Sequence, residues 1–288
     1  MAEPKDEIPA SPISPLMVQL LYETPPSIDF PRLTSKVEEY CGRTDPNARP
    51  AADADLAHYF MLDAQVQYKQ GCMPSQLCLV GATVPLDPGL LEKALQQTWD
   101  WPEVRQVVAS TPCALLANDF VAAGLERKLR NKQFRCFLRA VQEIAPCKAM
   151  HWMNTQKIVN PERFVFQQGE EEPQPLYGSI NVRLFNIQGT SRDILMDTLG
   201  LGVMGLPDIQ CHYRGLQPDD VAPILYNVAY YIFQHGDIIK NGETVPGVLE
   251  NDKWRCQHEM ALVGPERIVL DLDPGGHYAA GDRRTRQP

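Results

Sequence analysis

Residues 221–233, VAPILYNVAYYIF, form the most apolar stretch of the chain. A membrane span needs roughly 20 apolar residues in a row, so this stretch is too short to be one. It suits a helix buried inside a globular protein. Asp219 or Asp220 can cap its start, Pro223 then falls in the first turn, and Gly236 stops it after His235. Because it is apolar almost all round, the expectation is a central, fully covered position. Whatever covers it must come from the segments on either side.

Upstream, the periods alternate. Residues 16–23 read as a strand. Asp29 is a plausible N-cap, Pro31 fits a first turn, and a helix runs to Cys41 before Gly42. Residues 47–55 are a Pro/Ala/Asp loop. Strands are expected at 57–69 and 76–82, with a turn at Gly71. Asp87-Pro88 opens a helix with Leu90, Leu91, Ala94 and Leu95 at helical spacing, Trp101-Pro102 interrupts it, and 103–109 resumes it. Residues 113–120 return as a strand. The order β-α-β-β-α-β predicts a ferredoxin-like half. A long amphipathic helix follows at 125–144. Leu129, Cys136, Phe137 and Ala140 are expected inward, and Lys128, Lys132, Arg135 and Arg139 along one outer face.

Beyond the polar segment 167–175, strands are expected at 179–187, 193–199, 208–213, 254–263 and 267–272, around the apolar helix. The fold class is therefore α+β: a ferredoxin-like N-terminal half and a second antiparallel sheet-plus-helix half, packed together. The organisation read from this is a disordered arm at 1–15, an α+β domain at 16–166, a linker or exposed loop at 167–177, an α+β domain at 178–273 and a flexible tail at 274–288.

The formal net charge is −9. Three Arg and one Asp within 282–286 add two positive charges net, so the rest of the chain carries −11. An acidic body repels phosphate backbones and attracts basic partners, which argues against nucleic acid as a ligand. The acidic, polar start lacks the basic and apolar regions of a secretory signal. Eight cysteines are scattered, several inside apolar runs such as 77–80, and read as reduced thiols in a cytoplasmic, reducing compartment.

Chemistry is harder to find. Cys211-His212 and Cys256 with His258 offer the thiolates and imidazoles of a tetrahedral zinc site. Their spacing is not that of a zinc knuckle, and neighbours on a strand point to opposite faces, so no metal is expected. No serine lies in a G-x-S-x-G elbow. Cys72 or Cys256 with His151 or His258 could pair only by tertiary accident. Gly200, Gly202 and Gly205 match G-x-G-x-x-G, but lead into a strand, so no helix N-terminus awaits a pyrophosphate and no cofactor is expected. Asp219-Asp220 suits a helix start. Glu170, Glu171 and Glu172 form an acidic loop that can rim an interface with a basic protein.

The segments Asp197-Thr-Leu-Gly-Leu, Gly205-Leu-Pro-Asp-Ile-Gln-Cys-His-Tyr-Arg-Gly-Leu, Leu225-Tyr-Asn-Val-Ala-Tyr-Tyr-Ile-Phe-Gln-His-Gly-Asp and Trp254-Arg-Cys-Gln-His-Glu resemble a bacterial family known as domain of unknown function 4261. The resemblance spans roughly 179–272 and carries no catalytic residues with it. Relatives of this general kind occur near type VI secretion toxin genes. The resemblance thus implies an immunity protein that binds and blocks a basic, nuclease-type toxin in the cytoplasm without catalysis. The alternatives are a metal-dependent or thiol enzyme using Cys211, His212, Cys256 and His258, and an adaptor or chaperone for a secreted effector.

Overall fold

In the computed structural model, residues 13–51, 56–81, 86–166, 174–187, 189 and 193–281 are described. The chain divides into two units. One comprises Ser14–Ser179, the other the described residues of Met1–Ile13 and Ile180–Pro288. The fold is α+β.

The first unit holds β1 (Met17–Tyr22), α1 (Phe30–Cys41), β2 (Leu56–Tyr68), β3 (Gly71–Gly81), α2 (Glu92–Gln96), α3 (Val104–Ala109), β4 (Cys113–Asn118), α4 (Arg127–Ile144), β5 (Ala149–Trp152), β6 (Lys157–Val159) and α5 (Pro161–Phe166). Asp29 caps α1 as its sequence position predicts, accepting a 3.0 Å bond from Arg32 N. The sheet order is β2-β3-β4-β1-β5-β6, with every pair antiparallel.

The β-α-β-β-α-β order is present up to β4, but the strand pairing is not ferredoxin-like. A split βαβ unit would set β3 between β1 and β2. Here β4 lies between β3 and β1, and β1 takes β5 on its other side. Val18, Leu20, Leu21 and Tyr22 are all buried, so β1 needs neighbours on both edges and cover on both faces. The β5–β6 hairpin supplies the second edge. Both strands are too short to show a period of two, so neither is legible in the sequence.

Helix α4 buries Phe137 and Ala140 as expected, leaves Cys136 only half-buried, and departs from its predicted phase elsewhere. Phe134, Phe137, Leu138 and Val141 face the core, Leu129 is 44% exposed, and Arg135 is buried. The basic row is therefore not one outer face. Arg135 donates to Tyr177 O and lies over the Phe164 ring, while Arg139 bonds Glu143 and stacks on Tyr40. Arg130, also buried, pairs with Asp119 at 2.5 Å. Available partners, not polarity alone, set which charges go inward.

The second unit holds β7 (Asn181–Asn186), β8 (Asp193–Leu199), β9 (Asp208–Arg214), α6 (Pro218–His235), β10 (Thr244–Pro246), β11 (Lys253–Met260) and β12 (Ile268–Asp273). Its sheet order is β10-β11-β12-β9-β8-β7. It is mixed rather than antiparallel, because β12 runs parallel to β9. Two parallel neighbours need a crossover, and the connection from β9 to β12 passes through α6. Ala279 bridges Tyr213, and Arg214 N donates to Tyr278 O, so the start of the expected flexible tail is instead anchored on β9, because the edge groups of that strand's end take it as a partner.

The apolar helix α6 packs against β7, β8 and β9. It starts at Pro218 with Gln217 at the cap, two or three residues earlier than its acidic pair suggested. Asp219 and Asp220 sit in the first turn, and Pro223 lies inside the helix. One face is buried, through Val221, Leu225, Val228, Ala229, Ile232 and Phe233. The other exposes Pro223, Asn227, Tyr230 and Tyr231. The central, fully covered position expected of it is thus wrong. A lone helix lying on one sheet has a single face to bury. No helix among the described residues is long and apolar enough to cross a membrane.

Candidate functional site

The second unit buries an ionic cluster in its sheet. Asp197 on β8 accepts from Arg183 Nε at 2.9 Å and Nη2 at 2.6 Å, and from Arg267 Nη2 at 2.6 Å. Arg267 Nε reaches Asp208 Oδ2 at 3.1 Å. Further guanidinium hydrogens go to the carbonyl of Gly264 from Arg183 and to those of Val263, Pro265 and Thr198 from Arg267. None of the four side chains is more than 4% exposed. Two cations face two anions, so the cluster is formally neutral. Burial pushes the Asp208 carboxyl above its usual range and Asp197 adds to this, while Arg267 and backbone amides pull it back.

The loop after β8 explains the glycine pattern. Leu201 N donates to Asp208 Oδ1 at 3.0 Å and Gly200 N to Oδ2 at 3.3 Å. Thr198 Oγ1 donates to Asp208 Oδ1 at 3.1 Å and accepts from Ile209 N at 2.8 Å. The amides that would cradle a phosphate thus hold the protein's own carboxylate. Residues Leu201–Met204 form a short 3-10 turn, and Gly205 closes it in the left-handed region at φ 74°.

The cysteine and histidine candidates are not assembled. Gln210 lies opposite Asp271, and Cys256 opposite Leu272, so β12 stands between Cys211 and Cys256. Two strand spacings put their backbones about 10 Å apart. Burial lifts the Cys256 thiol to about 11, which disfavours a thiolate at neutral pH. His212 lies 4.0 Å from Asp193. His258 bonds Asn241 Oδ1 at 2.7 Å through Nδ1 and Asp237 Oδ1 at 3.0 Å through Nε2, tying the turn after α6 to β11. In the first unit, His151 pairs with Gln19 on β1, whereas Cys72 lies in the β2–β3 ribbon opposite Gln67. Among the described residues, no group of three or more His, Cys, Asp or Glu could hold a metal ion. Glu170, Glu171 and Glu172 lie outside the described residues, as do 1–12 and 282–288.

A concave surface runs along the open flank of α6. It encloses about 850 Å³, within the range of binding clefts. Ile224, Asn227, Val228 and Tyr231 form one wall, at helical spacings of three, one and three residues. Ile239 and the strap 242–247, which contains β10, form the other. Among the described residues Glu243 is the one charged side chain of the lining, and its carboxylate accepts from Lys240 N at 2.8 Å. Tyr231 of the wall is 45% exposed, and Tyr230 beside the groove is 37% exposed.

Residues 197–273 match the family model of a Domain of unknown function (DUF4261). No curated protein and no solved structure matches the chain. The match starts at Asp197 and ends with β12. It therefore takes in Asp208 and Arg267 of the buried cluster, all of α6 and the groove strap, but not Arg183 or the acidic loop.

Neither the cluster nor the groove was anticipated. The cluster did leave a trace: Arg183, Asp197 and Arg267 interrupt or flank otherwise apolar strand segments. A charge at an inward strand position needs a partner of opposite sign. The groove left none, because Ile224, Val228 and Tyr231 read like the core face of the same helix.

Proposed function

We propose that the protein acts by binding another protein, with the exposed flank of α6 as the docking surface. The carrying observation is the pair Tyr230 and Tyr231, exposed on a helix whose opposite face is core and bordered by an apolar groove. Exposed aromatic residues beside a pocket are what binding hot spots are made of. The net charge of −9 favours a basic partner. In its most specific form, the reading is an immunity protein that neutralises a basic, nuclease-type toxin in the cytoplasm by occupying its phosphate-binding cleft. Such an inhibitor needs shape and charge, and no catalytic group.

The test is affinity capture from the source cells, with the wild-type protein and a Tyr230→Ser/Tyr231→Ser variant as paired baits. A basic protein retained by the first bait and lost from the second supports the reading. Equal retention removes α6 from it, and failure to retain any basic protein removes the reading itself. If the partner is a toxin, inhibition is stoichiometric, and substoichiometric amounts leave a proportional remainder of activity.

A further inference from the structure

We propose that the groove beside α6 receives an amphipathic helix of the partner, carrying a Lys or Arg that faces Glu243. This rests on the protein-binding reading and adds the occupant. Ile224, Asn227, Val228 and Tyr231 repeat at i, i+3, i+4 and i+7, which is one stripe of a helix, the spacing of helix-in-groove contacts. Among the described residues of the second unit no other α-helix covers that stripe. The opposite wall has Gly242 at one end, with open space where a side chain would stand, so a backbone can come close there; at Gly247 that space is taken by Trp254.

An extended segment is the poorer fit. The outer edge of β10 is three residues long and ends in Pro246, which has no N–H to donate. Added strands rely on that ladder, whereas a docked helix satisfies its own backbone and needs only side-chain contacts. The sign of the occupant's charge follows from Glu243, the single charged group of the lining among the described residues, and from the net charge of −9. One Glu243 oxygen caps the turn at Lys240 N. The carboxylate is thereby held in place, with its other oxygen left for an ammonium or guanidinium.

The experiment uses the full chain and four synthetic probes. The first is an amphipathic helical peptide of leucine, alanine and lysine. The second has glutamate in place of lysine. The third has the first composition in scrambled order, and the fourth carries central prolines that forbid a helix. Binding is read by fluorescence anisotropy and located by backbone amide shifts. The expected result is saturable binding of the first probe alone, with shifts confined to α6 and residues 239–247. Glu243→Gln, which keeps an acceptor for Lys240 N, should weaken it about tenfold. Equal binding of the scrambled or proline probe overturns the helix. Equal binding of the glutamate probe, or indifference to Glu243→Gln, overturns the charge, and shifts elsewhere or no saturable binding overturn the site. The capture experiment with tyrosine variants has its own readout, so either proposal can fail while the other stands.

Discussion

Asp197 holds two guanidiniums at once, and burial sets what that is worth. Asp197→Ala would leave Arg183 and Arg267 without this partner in a dry site. Removing one member of a buried ionic cluster costs about 3–5 kcal/mol, because the remaining charge stays desolvated. Chemical denaturation should show the loss as a lowered midpoint for residues 180–281. Asp63, which pairs with Arg43 at 2.6 Å in the open, provides the contrast: Asp63→Ala should leave the midpoint where it was. Equal effects from the two variants would remove the burial argument. His151 gives the pH dependence at the same scale. Its ring is buried on β5 with Nδ1 2.8 Å from Gln19 Oε1, and burial pushes its pKa down to about 4 from an ordinary 6.5. The unfolded chain takes up this proton as pH falls below 6.5 while the folded chain resists until about 4. His151 therefore withdraws stability across that window and is neutral above it. His151→Gln should flatten the wild-type acid slope between those two pH values. An unchanged slope would show that His151 is not the group responsible.

At the scale of the element, α6 has two faces that are alike in composition and unlike in role. Leu225 is fully buried against the sheet, so Leu225→Asp places an unpaired charge in the core and should unfold residues 180–281. Tyr230→Ser/Tyr231→Ser alters only the exposed face, and its thermal midpoint should stay close to that of the wild type. Circular dichroism melts of both variants decide it. A tyrosine variant that melts as early as Leu225→Asp would mean that the exposed face is structural, and would leave the docking proposal without its surface. The charges of α4 follow the same logic. Arg130 and Arg135 are buried because Asp119 and the Tyr177 carbonyl await them, a fact that helical periodicity does not contain.

At the scale of the whole molecule, the relevant quantity is the net charge of −9. It acts over about 8 Å at physiological ionic strength, far enough to steer a basic partner but not to hold it. Association with the captured partner should therefore slow as salt rises, while dissociation, set by the aromatic anchors, changes little. Stopped-flow association at several ionic strengths measures this. A salt-independent association rate would mean that the acidic surface plays no part in encounter.

The sequence by itself determined the longer helices and strands, the start of α1 at Asp29, and the α+β class, because caps, turns and hydrophobic periods are local properties; the short β5, β6, β10 and α5 are too brief to carry such a period. Tertiary structure alone decided that β4, not β3, sits beside β1, and that β12 joins β9 in parallel. It also decided that the loop 200–205 closes on Asp208, and that only one side of α6 is covered. Each of these depends on partners remote in the chain. An apolar residue meant for a core and one meant for a partner look the same until the fold has taken what it needs.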